Sequence, residues 1–184
     1  GLRLEATTQR GRLQRLQGDA EGCIATLAPT MALVQRAQAQ LPALSADYYS
    51  QLARCRRATG ERDAARGLFE RSLAVRRSAI GDDTGVVENL TDLAALSVDA
   101  GDFPQALRGF EGALAQLRTI AGPRHPLNID ILRSIGATQQ QMGLASAAAR
   151  SLGEALSLSD ELQGPTHPAT LALRRQHALL LLDE

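Results

Sequence analysis

The chain has 184 residues, of which 44% are hydrophobic and only 3% aromatic, so its core must be built from Leu, Ala, Ile and Val. Its 20 basic residues, all arginine, balance 20 acidic residues, and the net charge of +0 gives no reason to expect nucleic acid or an anionic membrane as a partner. No apolar run approaches the roughly 20 residues that a membrane span needs, and residues 1–15 lack the pattern of a signal peptide.

The composition also suggests a source. The absence of lysine, together with abundant Ala, Leu and Gly, is typical of proteins from GC-rich bacterial genomes. The chain starts with Gly1 and not with methionine, as a fragment of a longer protein would, so a targeting or membrane segment could lie outside it. We expect a cytoplasmic location, or a periplasmic one if the chain is part of a membrane-anchored protein.

Two sequence markers recur with one period. The first is a glycine that follows an apolar segment, with steps of 42, 41 and 42 residues, at Gly18, Gly60, Gly101 and Gly143. The second is GPRHPLNIDIL at Gly122, which returns as GPTHPATLALR at Gly164, again 42 residues later. Two independent markers with the same spacing indicate an internal repeat.

Each repeat predicts two antiparallel helices. The first helix ends near the turn glycine, as a helix does that needs a left-handed residue past its C-terminus. The second begins two or three residues later, and Pro104 suits its first turn. One helix pair cannot bury its apolar face alone, so the pairs must stack. We predict a single domain, 1–184, of four helix pairs (1–41, 42–81, 82–123 and 124–165) and a terminal helix, 166–184.

Small residues recur where the paired helices should touch. On the first helices of successive repeats one equivalent position holds Gly11, Ala53, Ala94, Gly136 and Ala178. On the second helices the equivalent position holds Cys23, Ala65, Ala106 and Ala148. Larger side chains there would hold the helices apart, so this pattern predicts a close approach.

The two cysteines do not predict a disulfide. Cys23 and Cys55 both fall inside predicted helices on small-residue positions. A disulfide-stapled secreted domain would carry more cysteines, and neither residue has the neighbouring Cys or clustered His of a zinc site. We therefore expect two buried free thiols and no metal.

No catalytic constellation appears in the sequence. Walker, GxSxG, HExxH and CxxC motifs are all missing. His125 and His167 recur with the repeat in an HP dipeptide, where the imidazole can hydrogen-bond the entrance of the helix that proline starts. His177 lies among apolar residues of the last helix, which favours a packed or partner-facing side chain. We predict that the chain is not an enzyme and needs no cofactor.

These motifs resemble the tetratricopeptide repeat, and specifically the 42-residue variety of kinesin light chains and many bacterial proteins. The resemblance rests on AGDFPQAL, FEGAL, GPRHP, GPTHP and NLTDLA and covers nearly the whole chain, although the first repeat is degenerate and the tryptophan of the generic motif is missing. It implies an all-α, right-handed superhelical solenoid of antiparallel helix pairs, whose first helices line a concave groove for a peptide or another protein.

Helical spacing places a polar stripe on the solvent side of the first helices. The candidate binding residues on this stripe are Arg12, Asp47, Gln51, Arg54, Glu88, Asp92, Asp130, Ser134, Arg175 and Gln176. The family commonly carries Asn at four of these positions, where this chain has Gln51, Asp92, Ser134 and Gln176. The binding mode of the family therefore need not carry over, and the alternating charges favour a ligand of mixed charge.

The last helix favours self-association or a bound partner, because the consecutive leucines 179–182 cover every face of a helical turn. For the whole chain we predict a non-catalytic scaffold that binds a protein or peptide on its concave face. The alternative is a regulatory or sensor module of a larger signalling protein, such as a kinase or transcriptional regulator, that binds a signal peptide or small ligand.

Overall fold

The computed structural model of the chain describes residues 1–182, and within this range it contains helices and turns but no strand. The α-helices are α1 (Leu2–Leu16), α2 (Ala20–Leu27), α3 (Met31–Ala37), α4 (Pro42–Ala58), α5 (Arg62–Ala79), α6 (Thr84–Asp99), α7 (Phe103–Ala121), α8 (Leu127–Gln141), α9 (Ala145–Gln163) and α10 (Pro168–Leu182). The prediction of an all-α fold is confirmed. The chain divides into two compact units, Gly1–Leu96 and Ser97–Glu184.

The first unit is built around α4. This helix packs on α5 and also contacts α1, α2 and α3. The fully buried side chains of Tyr48, Tyr49 and Leu52 place its apolar face in the core. Behind α4, Phe69 packs in a buried cluster with Ala53 of its own helix pair and Leu96 of α6.

In the second unit, consecutive helices pack on one another. Here α7 packs on α8, α8 on α9, and α9 on α10. Its core contains the fully buried Leu117, Ile131 and Leu152 together with Phe110, which is 2% exposed. Helices α7 and α9 each have 19 residues, which is long enough to carry an apolar stripe along their whole length.

The turn glycines behave as predicted. The φ angles are +84°, +83°, +78° and +72° at Gly18, Gly60, Gly101 and Gly143. At the first of these turns the Gly18 N–H donates to Arg15 and the Asp19 N–H donates to Gln14, which closes the end of α1. A side chain at such a position would strain the backbone, so only glycine suits it.

The predicted role of the repeated histidines is confirmed. The Nδ1 atom of His125 accepts the N–H of Leu127 at 3.2 Å, at the entrance of α8. The equivalent atom of His167 accepts the N–H of Ala169 at 3.3 Å, at the entrance of α10. Both imidazoles therefore satisfy helix-terminal N–H groups that have no partner within the helix.

The close approach of paired helices is also confirmed. A Cβ atom on Gly11 would lie 2.8 Å from Cγ of Leu27, and one on Gly136 would lie 2.8 Å from Cγ of Leu152. Contacts this short do not occur between real side-chain carbons, so the missing side chain lets the leucine of the second helix sit directly on the backbone of the first.

The first repeat departs from the regular pattern. Its second helix is interrupted by a 3-10 turn, Ala28–Thr30, which separates α2 from α3. Pro29 lies in this turn, and a proline removes a backbone donor and clashes with the preceding helical turn. The repeat that is degenerate in sequence is therefore also irregular in structure.

The prediction of two free thiols is wrong, because Cys23 and Cys55 form a disulfide. The cysteines are 32 residues apart in sequence, but α2 packs on α4 and brings their Cα atoms to 6.2 Å. This separation lies within the range that a disulfide spans. The bond joins the second helix of the first repeat to the first helix of the next.

Candidate functional site

A polar pocket of about 310 Å³ opens on the first unit, and we call it the α1–α4–α6 pocket. It is lined by Thr8, Gln9 and Arg12 of α1, Asp47, Gln51 and Arg54 of α4, Arg76 of α5, and Asp83, Thr84, Gly85 and Glu88 at the start of α6. Residues four apart on a helix lie on one face, which explains why α1 and α4 each contribute more than one polar group.

The most unusual group in this pocket is Gln51. Its side chain is only 7% exposed, and its Oε1 atom has no hydrogen-bond partner among the described residues. Spacing alone predicts a solvent-side position for Gln51, and that prediction is wrong because neighbouring helices pack around α4 and cover it. A buried carbonyl oxygen without a donor costs about 1–3 kcal/mol, so the packing around Gln51 carries an energetic cost.

Arg54 links α4 to α6. Its Nε donates to Oδ2 of Asp92 at 2.8 Å, and its Nη2 donates to Oε2 of Glu88 at 3.0 Å. The side chains of Arg54 and Asp92 are 21% and 16% exposed, whereas Glu88 is 47% exposed. Asp92 therefore lies beneath the surface, and Glu88 is the carboxylate that faces solvent.

Arg76 makes a second group of the same kind. Its Nη1 donates to Oδ2 of Asp83 at 2.9 Å, and its Nη2 donates to Asp47. The guanidinium rests on the first turn of α6, where a Cβ atom on Gly85 would lie 2.2 Å from Cζ of Arg76. A side chain at position 85 would therefore displace the guanidinium of Arg76 from its place between the two carboxylates.

Burial and charge shift the protonation equilibria of these groups. Burial raises the pKa of Asp92, and Arg54 only partly opposes this. Burial also raises the pKa of Asp47, which is opposed by Arg76 and reinforced by Glu88. Burial disfavours the Arg54 cation, but the carboxylates of Asp92 and Glu88 together raise the pKa of Arg54 above its usual value.

A positive region lies on the α1 side. Burial, and then the charge of Arg54, lower the pKa of Arg15, and Arg12 adds to the effect. The Nε atom of Arg15 is buried without an acceptor. Within residues 1–182 neither Arg12 nor Arg15 forms an ion pair, although the charge of Asp92 acts to raise the pKa of Arg15.

A buried polar network holds α4, α5 and α6 together. The Ser50 hydroxyl donates to Oδ1 of Asn89 at 2.7 Å, and Nδ2 of Asn89 donates to Oγ of Ser72 at 2.7 Å. Ser72 in turn donates to the carbonyl oxygen of Ala46 at 2.8 Å. Because the members of this network bond one another, it fixes the helices that carry the pocket.

Five of the ten predicted stripe residues line the α1–α4–α6 pocket, namely Arg12, Asp47, Gln51, Arg54 and Glu88, and Asp92 lies behind Arg54. The other four belong to the second unit. Asp130 pairs with Arg133 at 3.3 Å, and the Ser134 hydroxyl donates to the carbonyl of Asp130 at 2.9 Å, so both already have partners within α8. Arg175 and Gln176 lie on α10.

The sequence did not predict Arg76, Asp83 or Gly85 as pocket residues. Arg76 belongs to a second-type helix, which the repeat pattern assigns to the opposite side of the pair. Gly85 was the one available signal, because a glycine inside the first turn of a helix can mark a close approach. Elsewhere, the described residues contain no cluster of His, Cys, Asp or Glu that could hold a metal ion, and none of their helices is long and apolar enough to cross a membrane.

Comparison with solved structures finds the same fold. BtubC (BKLC) from P. vanneervenii superposes with a TM-score of 0.79 at 18% identity, over 89% of this chain and 66% of that one. Kinesin-light-chain-like TPR repeats from Podospora anserina superpose with a TM-score of 0.73 at 18% identity, over 97% of this chain and 85% of that one. The MamA protein superposes with a TM-score of 0.58 at 17% identity, over 89% of this chain and 77% of that one. The chain thus spans slightly less than two thirds of the length of BtubC.

Sequence comparison identifies the family. No curated protein shows significant sequence similarity to the chain. The tetratricopeptide repeat profile matches residues 44–108 and 86–161, which together make up more than half of the chain. Repeats of this kind generally serve as non-enzymatic scaffolds for protein–protein interaction. With this match and the helix-pair fold, the chain belongs to the tetratricopeptide repeat family.

Proposed function

We propose that the chain is a protein-interaction module that binds a peptide or protein segment of mixed charge on the surface of its first-type helices, the concave face in arrays of this family. The α1–α4–α6 pocket is the proposed centre of binding. The observation that carries the proposal is the pocket itself, which is lined by polar side chains from α1, α4 and α6. These donors and acceptors could bond the backbone and the charged side chains of a bound segment.

The second unit supplies a second proposed contact surface. The side chains of Arg175 and Gln176 on α10 form no hydrogen bond or ion pair within residues 1–182, so their polar groups are available to a partner. Asp130 and Ser134 already bond within α8, and we expect them to contribute less.

A charge-swap experiment tests the proposal. Arg54→Asp with Asp92→Arg keeps an ion pair at this position but inverts its direction across the pocket. The matched control is Arg174→Asp with Asp160→Arg, which inverts a pair of 2.7 Å between α9 and α10. Each variant is first used to capture proteins from a lysate of the source organism. Proteins that bind the wild type and the control variant, but not the pocket swap, are then purified and titrated against all three. If a purified partner binds the pocket swap as tightly as the wild type, the pocket is not the binding surface.

A small polar ligand is the second candidate, because a volume of about 310 Å³ lies at the lower end of the range for small-molecule sites. This would suit the alternative of a sensor module. It predicts that a polar metabolite raises the melting temperature of the wild type in the absence of any protein partner. The same metabolite should leave Gln51→Leu unchanged.

A further inference from the structure

The disulfide connects α4 to one wall of the α1–α4–α6 pocket through a short series of buried contacts. Cys55 of α4 is bonded to Cys23 of α2. Leu27 follows Cys23 by four residues on the same face of α2, and both residues are fully buried. Leu27 in turn lies on the backbone of α1 at Gly11, where a Cβ atom would be 2.8 Å from its Cγ. The bond therefore helps to position α1, which forms one wall of the pocket.

The first repeat, residues 1–41, has little helical stability of its own. Helix α1 buries three of its 15 residues, whereas α4 buries nine of its 17. Helices α2 and α3 have only eight and seven residues, and isolated helices shorter than about 12–15 residues are marginal in water. The first repeat therefore depends on its attachment to α4.

The helices α4, α5 and α6 have a core and a polar network that do not involve the first repeat. Phe69 of α5 packs in a buried cluster with Ala53 of α4 and Leu96 of α6. The buried network that begins with the hydrogen bond from Ser50 to Asn89 joins the same three helices. Neither the cluster nor the network contains a residue of the first repeat, so we expect these three helices to stay folded when the first repeat separates from α4.

Both tyrosines of the chain lie where the first repeat covers α4, and there is no tryptophan. The Tyr48 hydroxyl donates to the carbonyl oxygen of Leu27 at 2.5 Å, and the Tyr49 hydroxyl donates to Oε1 of Gln38 at 3.0 Å. Both tyrosines are fully buried. Separation of the first repeat would expose them, so tyrosine fluorescence reports on this part of the molecule.

We propose that the Cys23–Cys55 disulfide is a redox-sensitive switch that controls whether the first repeat stays packed on α4. A dithiol reductant supplies two electrons and two protons: the S–S bond breaks, two thiols form, and the dithiol becomes a disulfide. Both cysteines are fully buried, so the reductant reaches them when the first repeat opens transiently. After reduction the repeat opens more often, because the bond no longer restricts the open state. The pocket then keeps its α1 wall only in the oxidised chain, a property that goes beyond the proposed function.

Amide hydrogen exchange of the full chain, measured by mass spectrometry before and after treatment with dithiothreitol, tests the proposal. Alkylation of two thiols verifies the reduction, and the two forms differ only by the bond and two hydrogen atoms. We expect the amides of α1 and α2 to exchange at least about tenfold faster in the reduced chain. The amides of α8 and α9, in the second unit, should be unchanged. Acrylamide should quench the fluorescence of Tyr48 and Tyr49 more strongly after reduction.

The control variant is Cys23→Ala/Cys55→Ala, which lacks the bond. Its α1 and α2 amides should exchange fast whether or not the dithiol is present, and a response of this variant to the dithiol would overturn the proposal. Equal protection of α1 and α2 in the oxidised and reduced wild type would also overturn it, as would a simultaneous loss of protection in α5 and α6 or a bond that the dithiol reduces only in the unfolded chain. These measurements need no partner, so their outcome is independent of the proposed function, which the charge-swap experiment decides.

Discussion

Replacing Arg54 by methionine should destabilise the first unit by stranding Asp92. The Asp92 side chain is only 16% exposed, and Arg54 is the cation that hydrogen-bonds it, at 2.8 Å. Removing one partner of a buried ion pair costs about 3–5 kcal/mol. Because both side chains are only partly buried and the charge of Arg57 also acts on Asp92, we expect a smaller loss of about 2 kcal/mol.

The assay is urea unfolding followed by circular dichroism, with Arg124→Met as the control. Arg124 and its partner Glu161 are 70% and 45% exposed, and such surface pairs contribute only about 0–1 kcal/mol. The double variant Arg54→Met/Asp92→Asn should be more stable than Arg54→Met alone, since it removes the stranded charge. If Arg54→Met cost no more than Arg124→Met, the argument from the buried carboxylate would fail.

The carboxyl group of Asp92 also makes the unfolding free energy depend on pH. Burial raises the pKa of Asp92 above 3.8, so near this pH the folded state holds a proton that the unfolded state has lost. The contribution of Asp92 to the unfolding free energy is therefore greatest below pH 3.8 and falls as the pH rises through the raised pKa. Unfolding curves from pH 3 to 8 should show that Asp92→Asn removes this decline. A parallel decline in wild type and variant would contradict the assignment.

Three further predictions concern the helix packing and the last helix. Gly136→Ala should lower the unfolding free energy by about 1 kcal/mol, because overpacking against Leu152 of the second helix outweighs the gain in helix propensity. Gly112→Ala, with open space around it, should raise the unfolding free energy by about 0.5–1 kcal/mol in the same denaturation assay. Reduction of the Cys23–Cys55 disulfide, which closes a 32-residue separation, should lower the unfolding free energy by about 4 kcal/mol, and alkylation of two thiols in the unreduced, unfolded chain would refute the bond. We also propose that α10 self-associates, so the mass measured by light scattering should rise with protein concentration. Leu179→Glu, at a position that is 54% exposed, should keep the chain monomeric. A wild type that stays monomeric at every concentration would exclude self-association.

The repeat could be predicted from the sequence because its markers are local. A left-handed glycine such as Gly101, or an HP dipeptide such as that of His125, dictates its own backbone geometry and the start or end of a helix. The disulfide could not be predicted in this way, since it depends on how α2 lies against α4. The role of Arg76 was missed for the same reason: its guanidinium crosses from α5 to α6, and only the packed structure shows that Gly85 makes room for it.

The arrangement of charge in the pocket separates what the fold needs from what it does not. Arg54 and Arg76 are largely buried, and each requires a carboxylate nearby to offset the loss of its hydration. Asp92 and Asp83 can meet that requirement, since they are the less exposed members of their groups. A second carboxylate on each arginine adds little stability at an exposed position and increases repulsion among like charges. Asp47 and Glu88, the more exposed carboxylates, are therefore expected to contribute less to stability than Asp83 and Asp92, although each also bonds an arginine on a neighbouring helix.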